Sequence, residues 1–198
     1  MKNFSTPYIY FYLIVLVTVI AIGLTAVSLG LKPRREFNQR VEKAQQILCA
    51  AGYGDVSKEM AVAKFDAVVQ TIDNQSKACY QIHCADGTDG HVVEVHGNGL
   101  WGPIWGYIIL EEDLNTIKGV VFAHKSETPG LGDKITEEAF TAQFIGKKLH
   151  NAQGEYTSVR VLPKGKNPSI APENRVDAIT GATLTSKGVD AMIMQSFK

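Results

Sequence analysis

Residues 104–123, IWGYIILEEDLNTIKGVVFA, contain two β-rich runs joined by the segment EEDLN. The runs 104–110 and 116–123 are dominated by isoleucine, valine and aromatic residues, which favour strands. The short polar connection between them predicts an antiparallel hairpin. A valine-rich run at 91–96 predicts another strand just before the hairpin. Because helical patterns occur towards both ends of the chain, we expect an α+β fold, with a largely antiparallel sheet flanked by helices.

Four segments outside these strands carry apolar residues at helical spacing. They predict four helices. The first covers 34–51 and stops at Gly52, and the second begins at a Ser57 cap and reaches Ile72. The last two cover 136–148 and 185–197. The second helix would bury Met60, Phe65, Val68 and Ile72 on one face, and the last would bury Val189, Met192, Ile193 and Phe197. The segment 157–162 predicts a further strand, and 163–174, with its proline and glycine, predicts a loop.

The segment 8–29, YIYFYLIVLVTVIAIGLTAVSL, is almost entirely apolar and carries no charge. A membrane-spanning helix needs about 20 such residues, whereas the apolar core of a cleaved signal peptide has only about 7–15. We therefore expect a retained membrane anchor at 1–33 and one soluble domain at 34–198. The basic residues that follow the span, Lys32, Arg34, Arg35 and Arg40, would by the positive-inside rule keep this domain in the cytoplasm.

Charge and cysteine content exclude two other classes of function. The chain has 20 basic and 20 acidic residues, so it lacks the basic surplus of a general nucleic-acid binder. Its three cysteines, Cys49, Cys79 and Cys84, form no C-x-x-C pair and no disulfide framework. Cys79 and Cys84 lie near His83, His91 and His96, but the spacing is not that of a structural zinc site, so we expect no metal.

The segment 97–102, GNGLWG, formally matches the dinucleotide-binding motif G-x-G-x-x-G. That motif requires a helix to begin within it, so that the helix N-terminus holds the pyrophosphate. Here Pro103 and a strand-forming run follow instead. The segment therefore predicts a glycine-rich turn between two strands, with Trp101 at its tip. The indole could be part of the core, anchor an interface, or form a stacking wall for a flat ligand.

The segment 177–186, DAITGATLTS, holds four hydroxyls just before the last helix. Thr183 or Thr185 could cap that helix, with Gly181 permitting the turn. A hydroxyl at a helix N-terminus can equally form a phosphate site, because free backbone N–H groups and the helix dipole favour an anion there. The small residues Gly181 and Ala182 would let a phosphate or a modifying enzyme approach. The residues alone leave both interpretations open.

A second loop, ETPGLGD at 127–133, predicts a turn with Pro129 and Gly130 in its central positions. Gly130 and Gly132 would also expose backbone on either side of Leu131. A planar ring system could therefore lie on this loop, with N–H groups facing its polar edge.

Four stretches together carry a family resemblance: NGLWGPIWGY at 98–107, SETPGLGDKI at 126–135, FIGKK at 144–148 and VDAITGATLTS at 176–186. With these the chain resembles the NqrC family, the FMN-binding subunits of the Na⁺-translocating NADH:quinone reductase. It is more distantly similar to the RnfG proteins of the related Rnf complex, which share much of the second stretch. The residues of the first and last stretches favour the Na⁺-translocating reductase over the Rnf complex.

The resemblance implies a cofactor and the residues that hold it. FMN would be joined by a phosphodiester bond to Thr183, with Thr180, Gly181 and Ala182 as the lead-in and Asp177 as the upstream acidic residue. Thr185 is the alternative acceptor. Three residues of the second loop would lie against the flavin together with Trp101: Glu127, Thr128 and Leu131. No residue of this chain is expected to be catalytic by itself.

The resemblance also implies a function in electron transport. The chain would be one subunit of an inner-membrane redox-driven sodium pump, relaying electrons between the NADH-oxidising and quinone-reducing subunits. A flavin transferase would install the FMN, and the soluble domain would lie on the periplasmic side, because long domains cross largely regardless of charge. The alternatives are a component of an Rnf-type ferredoxin:NAD complex and a membrane-anchored module that binds FMN non-covalently. A serine or cysteine hydrolase is disfavoured, because the sequence has no G-x-S-x-G elbow and no cysteine beside a plausible triad.

Overall fold

The computed structural model describes residues 5–72, 79–165 and 169–197. These residues divide into two compact units, with the boundary between Glu42 and Lys43. Helix α1 (Thr6–Ala50) is continuous, so the prediction of a separate helix starting at residue 34 is wrong. Pro33 lies inside α1 without ending it, because one lost hydrogen bond does not outweigh the helical turns on either side. The helix is long and apolar enough to cross a membrane once.

The predicted stop of this helix at Gly52 is confirmed. Gly52 has φ +85°, a left-handed conformation that glycine adopts without strain. The N–H of Tyr53 donates to the Leu48 carbonyl (3.0 Å), which satisfies one of the last carbonyls of the helix. Helix α2 (Lys58–Val68) follows, with Ser57 as its N-cap residue.

Five strands form one antiparallel sheet in chain order, which confirms the predicted fold class. They are β1 (Val69–Ile72), β2 (Cys79–His83), β3 (Asp89–Asn98), β4 (Pro103–Leu110) and β5 (Ile117–His124). The predicted hairpin is the β4–β5 pair, with Ile104 opposite His124 and Tyr107 opposite Val121. The sequence analysis missed β1 and β2, and Met60, predicted on the buried face of α2, is exposed.

The sheet is covered on both faces, which explains why β4 is an almost unbroken apolar run. On one face Ile104 and Ile108 pack with Val189 and Ile193 near the C-terminal end of the chain. On the other face Tyr107 and Ile109 pack with apolar residues that include Ile47 and Ala51. Residues of β4 thus alternate between two apolar cores, as the strand period of two requires.

The predicted helix over 136–148 is wrong. The chain instead forms a 3-10 turn (Gly132–Thr136), one turn of helix α3 (Glu138–Thr141) and a second 3-10 turn (Ala142–Phe144). Phe140 and Phe144 pack edge-on at 5.3 Å between ring centroids. Beyond them the chain pairs with the start of β5: the N–H of Ile117 donates to the Lys147 carbonyl and the N–H of Gly146 to the Ile117 carbonyl, both at 2.8 Å. These sheet-like bonds use groups that a continuous helix would need.

The last part of the chain adds a parallel pair, β6 (Arg160–Leu162) and β7 (Arg175–Asp177), and helix α4 (Thr183–Ser196). The predicted strand at 157–162 is confirmed only from residue 160, because Ser158 has φ +61° and leaves the extended conformation. The Asp190 carboxylate accepts bonds from Arg160 Nε (2.9 Å) and the Val161 N–H (2.8 Å), which fixes α4 against β6. Burial of Val189, Met192 and Ile193 on α4 is confirmed.

Candidate functional site

Three segments meet where β3 ends, β4 begins and β5 ends: 99–102, 126–132 and 180–185. We call this the loop end of the sheet. The first segment is a tight turn in which the Gly99 N–H donates to the Gly102 carbonyl (2.8 Å). It leads directly into β4, and the side chain of Trp101 at its tip is 66% exposed. The prediction of a turn between strands, rather than a dinucleotide-binding helix start, is confirmed.

The second segment contains the predicted proline–glycine turn. The Leu131 N–H donates to the Thr128 carbonyl (3.1 Å), and Pro129 and Gly130 lie between them. Gly130 has φ +75°, the conformation that such a turn needs at its third position. The turn directs Leu131 outward, so its side chain is 42% exposed.

The third segment leads into α4. The helix begins at Thr183, and its N-cap is Ala182, whose methyl side chain makes no capping hydrogen bond. The interpretation of Thr183 or Thr185 as the cap is therefore wrong. Gly181 has φ +84° and permits the turn, and Ser186 Oγ accepts a bond from the Ile179 N–H (3.1 Å).

The two candidate hydroxyls of α4 differ in exposure. Thr183 is exposed, in the first turn of a 14-residue helix whose leading N–H groups have no intrahelical partner. Thr185 is only 2% exposed, and its Oγ donates to Glu127 Oε2 at 2.6 Å. Of these two hydroxyls, that of Thr183 is the one open to a large reactant.

The carboxylate of Glu127 joins all three segments, although it is only 5% exposed. Its Oε2 accepts the Thr185 hydroxyl, and its Oε1 accepts the backbone N–H of Trp101 at 2.8 Å. The backbone N–H of Glu127 donates to Nδ1 of His124 (3.2 Å). Ser126, the residue before Glu127, also bonds to the 99–102 turn: its Oγ donates to the Trp101 carbonyl (3.0 Å).

Glycines make this close approach possible. A Cβ on Gly99 would lie 2.5 Å from Glu127 Oε1, and one on Gly132 would lie 2.5 Å from Glu127 Oε2. A Cβ on Gly188 would lie 2.3 Å from the Asn98 carbonyl oxygen, so α4 also touches the end of β3. The sequence analysis missed this function of Gly99 and Gly132. The signal was the glycine spacing in the two loops, which it interpreted as a turn in the first loop and as exposed backbone for a ring in the second.

The exposed surface of the three segments carries several apolar side chains. Besides Trp101 and Leu131 it includes Leu100 (48% exposed) and Leu184 (55% exposed), which the sequence analysis did not select. Of the residues selected, Thr128, Thr180 and Gly181 are exposed, whereas Ala182 and Glu127 are buried. A flat ring could lie on this surface, with an attached phosphate at the start of α4.

Two of the histidines considered for a zinc site have acidic partners. His83 Nδ1 lies 2.9 Å from Asp89 Oδ1, and His96 Nε2 lies 3.1 Å from Glu94 Oε1. Cys84 is buried, and burial raises the pKa of its thiol. Within the described ranges no group of three or more His, Cys, Asp or Glu residues could hold a metal ion. The Cys79 side chain lies outside the described part.

A protein-family model described as an FMN-binding domain matches residues 99–198, the half of the chain that contains all three segments. The loop end is thus part of an FMN-binding domain. Its residues fit such a cofactor: an exposed hydroxyl at a helix N-terminus for the phosphate, and exposed apolar side chains for the ring.

The chain is also similar to individual proteins. The C subunit of the Na(+)-translocating NADH-quinone reductase of Neisseria meningitidis is 39% identical over 120 residues, 58% of this chain and 45% of that protein. The same subunit of Pseudomonas aeruginosa is 29% identical over 227 aligned positions, 91% of this chain and 87% of that protein. The crystal structure of this subunit from Parabacteroides distasonis superposes with a TM-score of 0.75 at 34% identity, covering 84% of this chain and 93% of that chain.

The chain therefore belongs to the NqrC family, the C subunits of the Na(+)-translocating NADH-quinone reductase. The chain spans 45% of the length of the Neisseria meningitidis subunit, to which it is 39% identical. All three relatives bear the name of this reductase and not that of the Rnf complex.

Proposed function

We propose that this chain carries FMN as a phosphodiester on Thr183 and relays electrons within a Na⁺-translocating NADH:quinone reductase. The observation that carries the attachment site is the contrast between two hydroxyls on one helix. Thr183 is exposed at the first position of α4, whereas Thr185 is buried and bonded to Glu127. Family membership supports the cofactor and the assembly.

The start of α4 suits the product of this modification. In forming the ester, Thr183 Oγ loses its proton and bonds to the phosphorus of an activated flavin nucleotide, a mixed anhydride of FMN with a nucleoside monophosphate. The P–O bond of the anhydride breaks, the nucleoside monophosphate leaves with the electron pair, and the chain gains the mass of FMN less one water. The phosphodiester keeps one negative charge beside the unpaired N–H groups of the first helical turn. The positive end of the helix dipole stabilises that charge, typically by about 0.3–1 kcal/mol at a surface. Thr183 serves as an attachment point and takes no part in turnover.

The exposed apolar residues of the loop end would hold the ring. Trp101 and Leu131 project from the two loops that meet the attachment segment, and Thr128 lies in the turn that presents Leu131. FMN, when bound, supplies reversible electron transfer, and the protein tunes it through charge and hydrogen bonds near the ring. The covalent bond keeps the cofactor on a surface that does not enclose it.

The exposure of Thr183 also suits the partners that we propose. A separate flavin transferase must bring its own active site to the hydroxyl, and Gly181 beside it offers no side chain to obstruct that approach. The NADH-oxidising and quinone-reducing subunits of the complex would exchange electrons with the same exposed surface. NADH oxidation, quinone reduction and Na⁺ transport would belong to those subunits.

Helix α1 would anchor the chain in the bacterial inner membrane as a single span, with the soluble domain in the periplasm. This orientation opposes the basic residues after the span, but long domains translocate largely regardless of charge. A Cys49→Ser background with Glu112→Cys tests it, because Glu112 is exposed. An impermeant thiol reagent should label the protein in intact cells stripped of outer membrane. Labelling only after the inner membrane is permeabilised would reverse the orientation.

The attachment is tested by producing the full-length protein together with its flavin transferase. Intact-mass spectrometry should show the added mass of FMN less water, and peptide mapping should assign it to Thr183. The chain should stay yellow and fluorescent after denaturation and precipitation. A colourless chain of unmodified mass would overturn the proposal, and flavin that is released on denaturation would favour non-covalent binding.

A further inference from the structure

We infer that Glu127 is a positioning residue that fixes Trp101 relative to the segment bearing Thr183, and that it acts from beneath the site without contacting the cofactor. The inference rests on the proposed function for its meaning, because Trp101 and Thr183 matter only if the ring and its phosphate lie there. The contacts themselves do not depend on that function. They are properties of this chain.

The first argument is the reach of the two hydrogen bonds. Glu127 Oε1 accepts from the Trp101 N–H, 26 residues away in sequence, and Oε2 accepts from the Thr185 hydroxyl, 58 residues away. One side chain thereby connects the β3–β4 turn to α4. Both donors are neutral groups bonded to a carboxylate, the kind of hydrogen bond that is short and comparatively strong.

The second argument is direction. The Glu127 side chain is only 5% exposed, whereas Trp101 and Thr183 are both exposed. Gly99 and Gly132 leave the space that its two oxygens occupy, since a Cβ on either glycine would lie 2.5 Å from one of them. The carboxylate therefore faces the protein interior, and its effect on a ligand of the exposed surface passes through Trp101.

The third argument is that Trp101 is held by its backbone and not by its ring. Glu127 accepts from its N–H and Ser126 donates to its carbonyl. Fixing the peptide while leaving the indole exposed is what a stacking wall requires: a fixed position and a free face. A tryptophan that served as ordinary core would be buried.

Two substitutions separate position from charge. Glu127→Gln keeps the length of the side chain and can still pair with both partners, because its oxygen accepts from Trp101 and its amide group donates to the Thr185 hydroxyl. Glu127→Asp keeps the charge but is shorter by one methylene, so it cannot bridge both partners. A positioning residue should tolerate Gln and fail with Asp, whereas a residue acting through its charge should do the reverse.

The first measurement needs no flavin. Amide hydrogen exchange at Trp101 in the unmodified full-length protein reports whether its N–H remains bonded. We expect exchange near the wild-type rate in Glu127→Gln and about tenfold faster in Glu127→Asp, as loss of a hydrogen bond to a charged group implies. Equal rates in the wild type and Glu127→Asp, or faster exchange in Glu127→Gln alone, would overturn the inference.

The second measurement uses the modified protein. Indole near an isoalloxazine quenches flavin fluorescence, so Trp101→Leu defines the unquenched level per attached flavin. Glu127→Asp should approach that level, and Glu127→Gln should stay near the wild type. If Trp101→Leu is as dim as the wild type, the proposed ring position is wrong and the exchange data alone decide the inference. If Trp101→Leu is bright while Glu127→Asp stays dim, Glu127 does not position Trp101.

Discussion

The two ends of the five-stranded sheet use carboxylates in different ways. At the loop end, Glu127 is buried and bonds to groups 26 and 58 residues away. At the opposite end, which we call the turn end (84–88 and 111–116), Asp86 and Asp113 are exposed and accept backbone N–H groups of their own turns, and Asp86 also accepts a bond from Lys118 Nζ of β5 (2.9 Å). Asp113 accepts the N–H groups of Asn115 (2.9 Å) and Thr116 (2.8 Å), and Asp86 accepts that of Thr88 (3.1 Å).

The acidic residues of the turn end make mostly local contacts. The turn end lines a cavity of about 930 Å³ with several carboxylates, among them Asp86, Asp89, Glu111 and Asp113. Asp86 and Asp113 bond backbone N–H groups just ahead of them, as Asp side chains do in turns, and Asp86 also pairs with Lys118. The single carboxylate of the loop end forms no local turn. Its two hydrogen bonds instead connect segments that are distant in sequence.

The largest effect on FMN attachment is expected at Thr183, on the exposed surface of the loop end. Thr183→Val keeps the shape of the side chain but removes the hydroxyl, so covalent FMN should be lost completely. Because Thr183 is exposed, the free energy of unfolding should change by no more than about 0.5 kcal/mol. Intact mass and flavin fluorescence on a denaturing gel measure the loss of covalent FMN. Urea unfolding in detergent measures the change in the free energy of unfolding. Flavin retained through denaturation would make Thr185 the acceptor.

The matched substitution two residues further on should give the opposite result. Thr185→Val removes the donor to Glu127 Oε2 in a buried place, which should lower the free energy of unfolding by about 2–3 kcal/mol. The flavin should still be attached at Thr183. Urea unfolding and peptide mapping on the same sample give both answers. Loss of the flavin with unchanged stability would contradict the distinction between the two hydroxyls.

A pair of glycine substitutions compares the two ends directly. Gly132→Ala would place a Cβ 2.5 Å from Glu127 Oε2, and such overpacking costs about 1–3 kcal/mol. Gly87 at the turn end has open space but φ +83°, so Gly87→Ala should cost only about 1 kcal/mol of backbone strain. Urea unfolding of the full-length protein in detergent measures both.

Double variants with Thr185→Val sharpen this result. Gly132→Ala should couple to Thr185→Val by about 0.5 kcal/mol or more, because both act on the same carboxylate. The effects of Gly87→Ala and Thr185→Val on the free energy of unfolding should simply add, because Gly87 at the turn end does not contact Glu127. Additive behaviour of the Gly132 pair would mean that the glycine does not serve to accommodate the carboxylate.

The same distinction between local and distant contacts explains how much of the fold the sequence predicts. The β4–β5 hairpin, the stop at Gly52 and the turn at Pro129 follow from composition and turn chemistry within a few residues, and all are confirmed. The helix over 136–148 is wrong because its end pairs with β5, a tertiary contact that no local pattern indicates.

For the candidate site the limit is similar. The sequence points to the segments containing Trp101, Glu127 and Thr183 through their motifs. It does not indicate that Glu127 faces inward, nor that Ala182 occupies the cap position. The inward direction of Glu127 depends on the glycines at 99 and 132, whose function becomes visible only when the loops are brought together.

The smallest effect is expected at the turn end, and it depends on pH. Lys118, followed by the backbone and side chain of Thr88, lowers the pKa of Asp86 to about 2. Because the pKa of an unfolded Asp is about 3.9, the stabilisation is present above that pH and is lost as the pH falls towards 2. The difference in unfolding free energy between the wild type and Asp86→Asn should therefore shrink between about pH 4 and pH 2, measured by urea unfolding. Lys118→Met should weaken this pH dependence without removing it, because the bonds from Thr88 remain. A stability difference between the wild type and Asp86→Asn that does not change between about pH 4 and pH 2 would contradict the prediction.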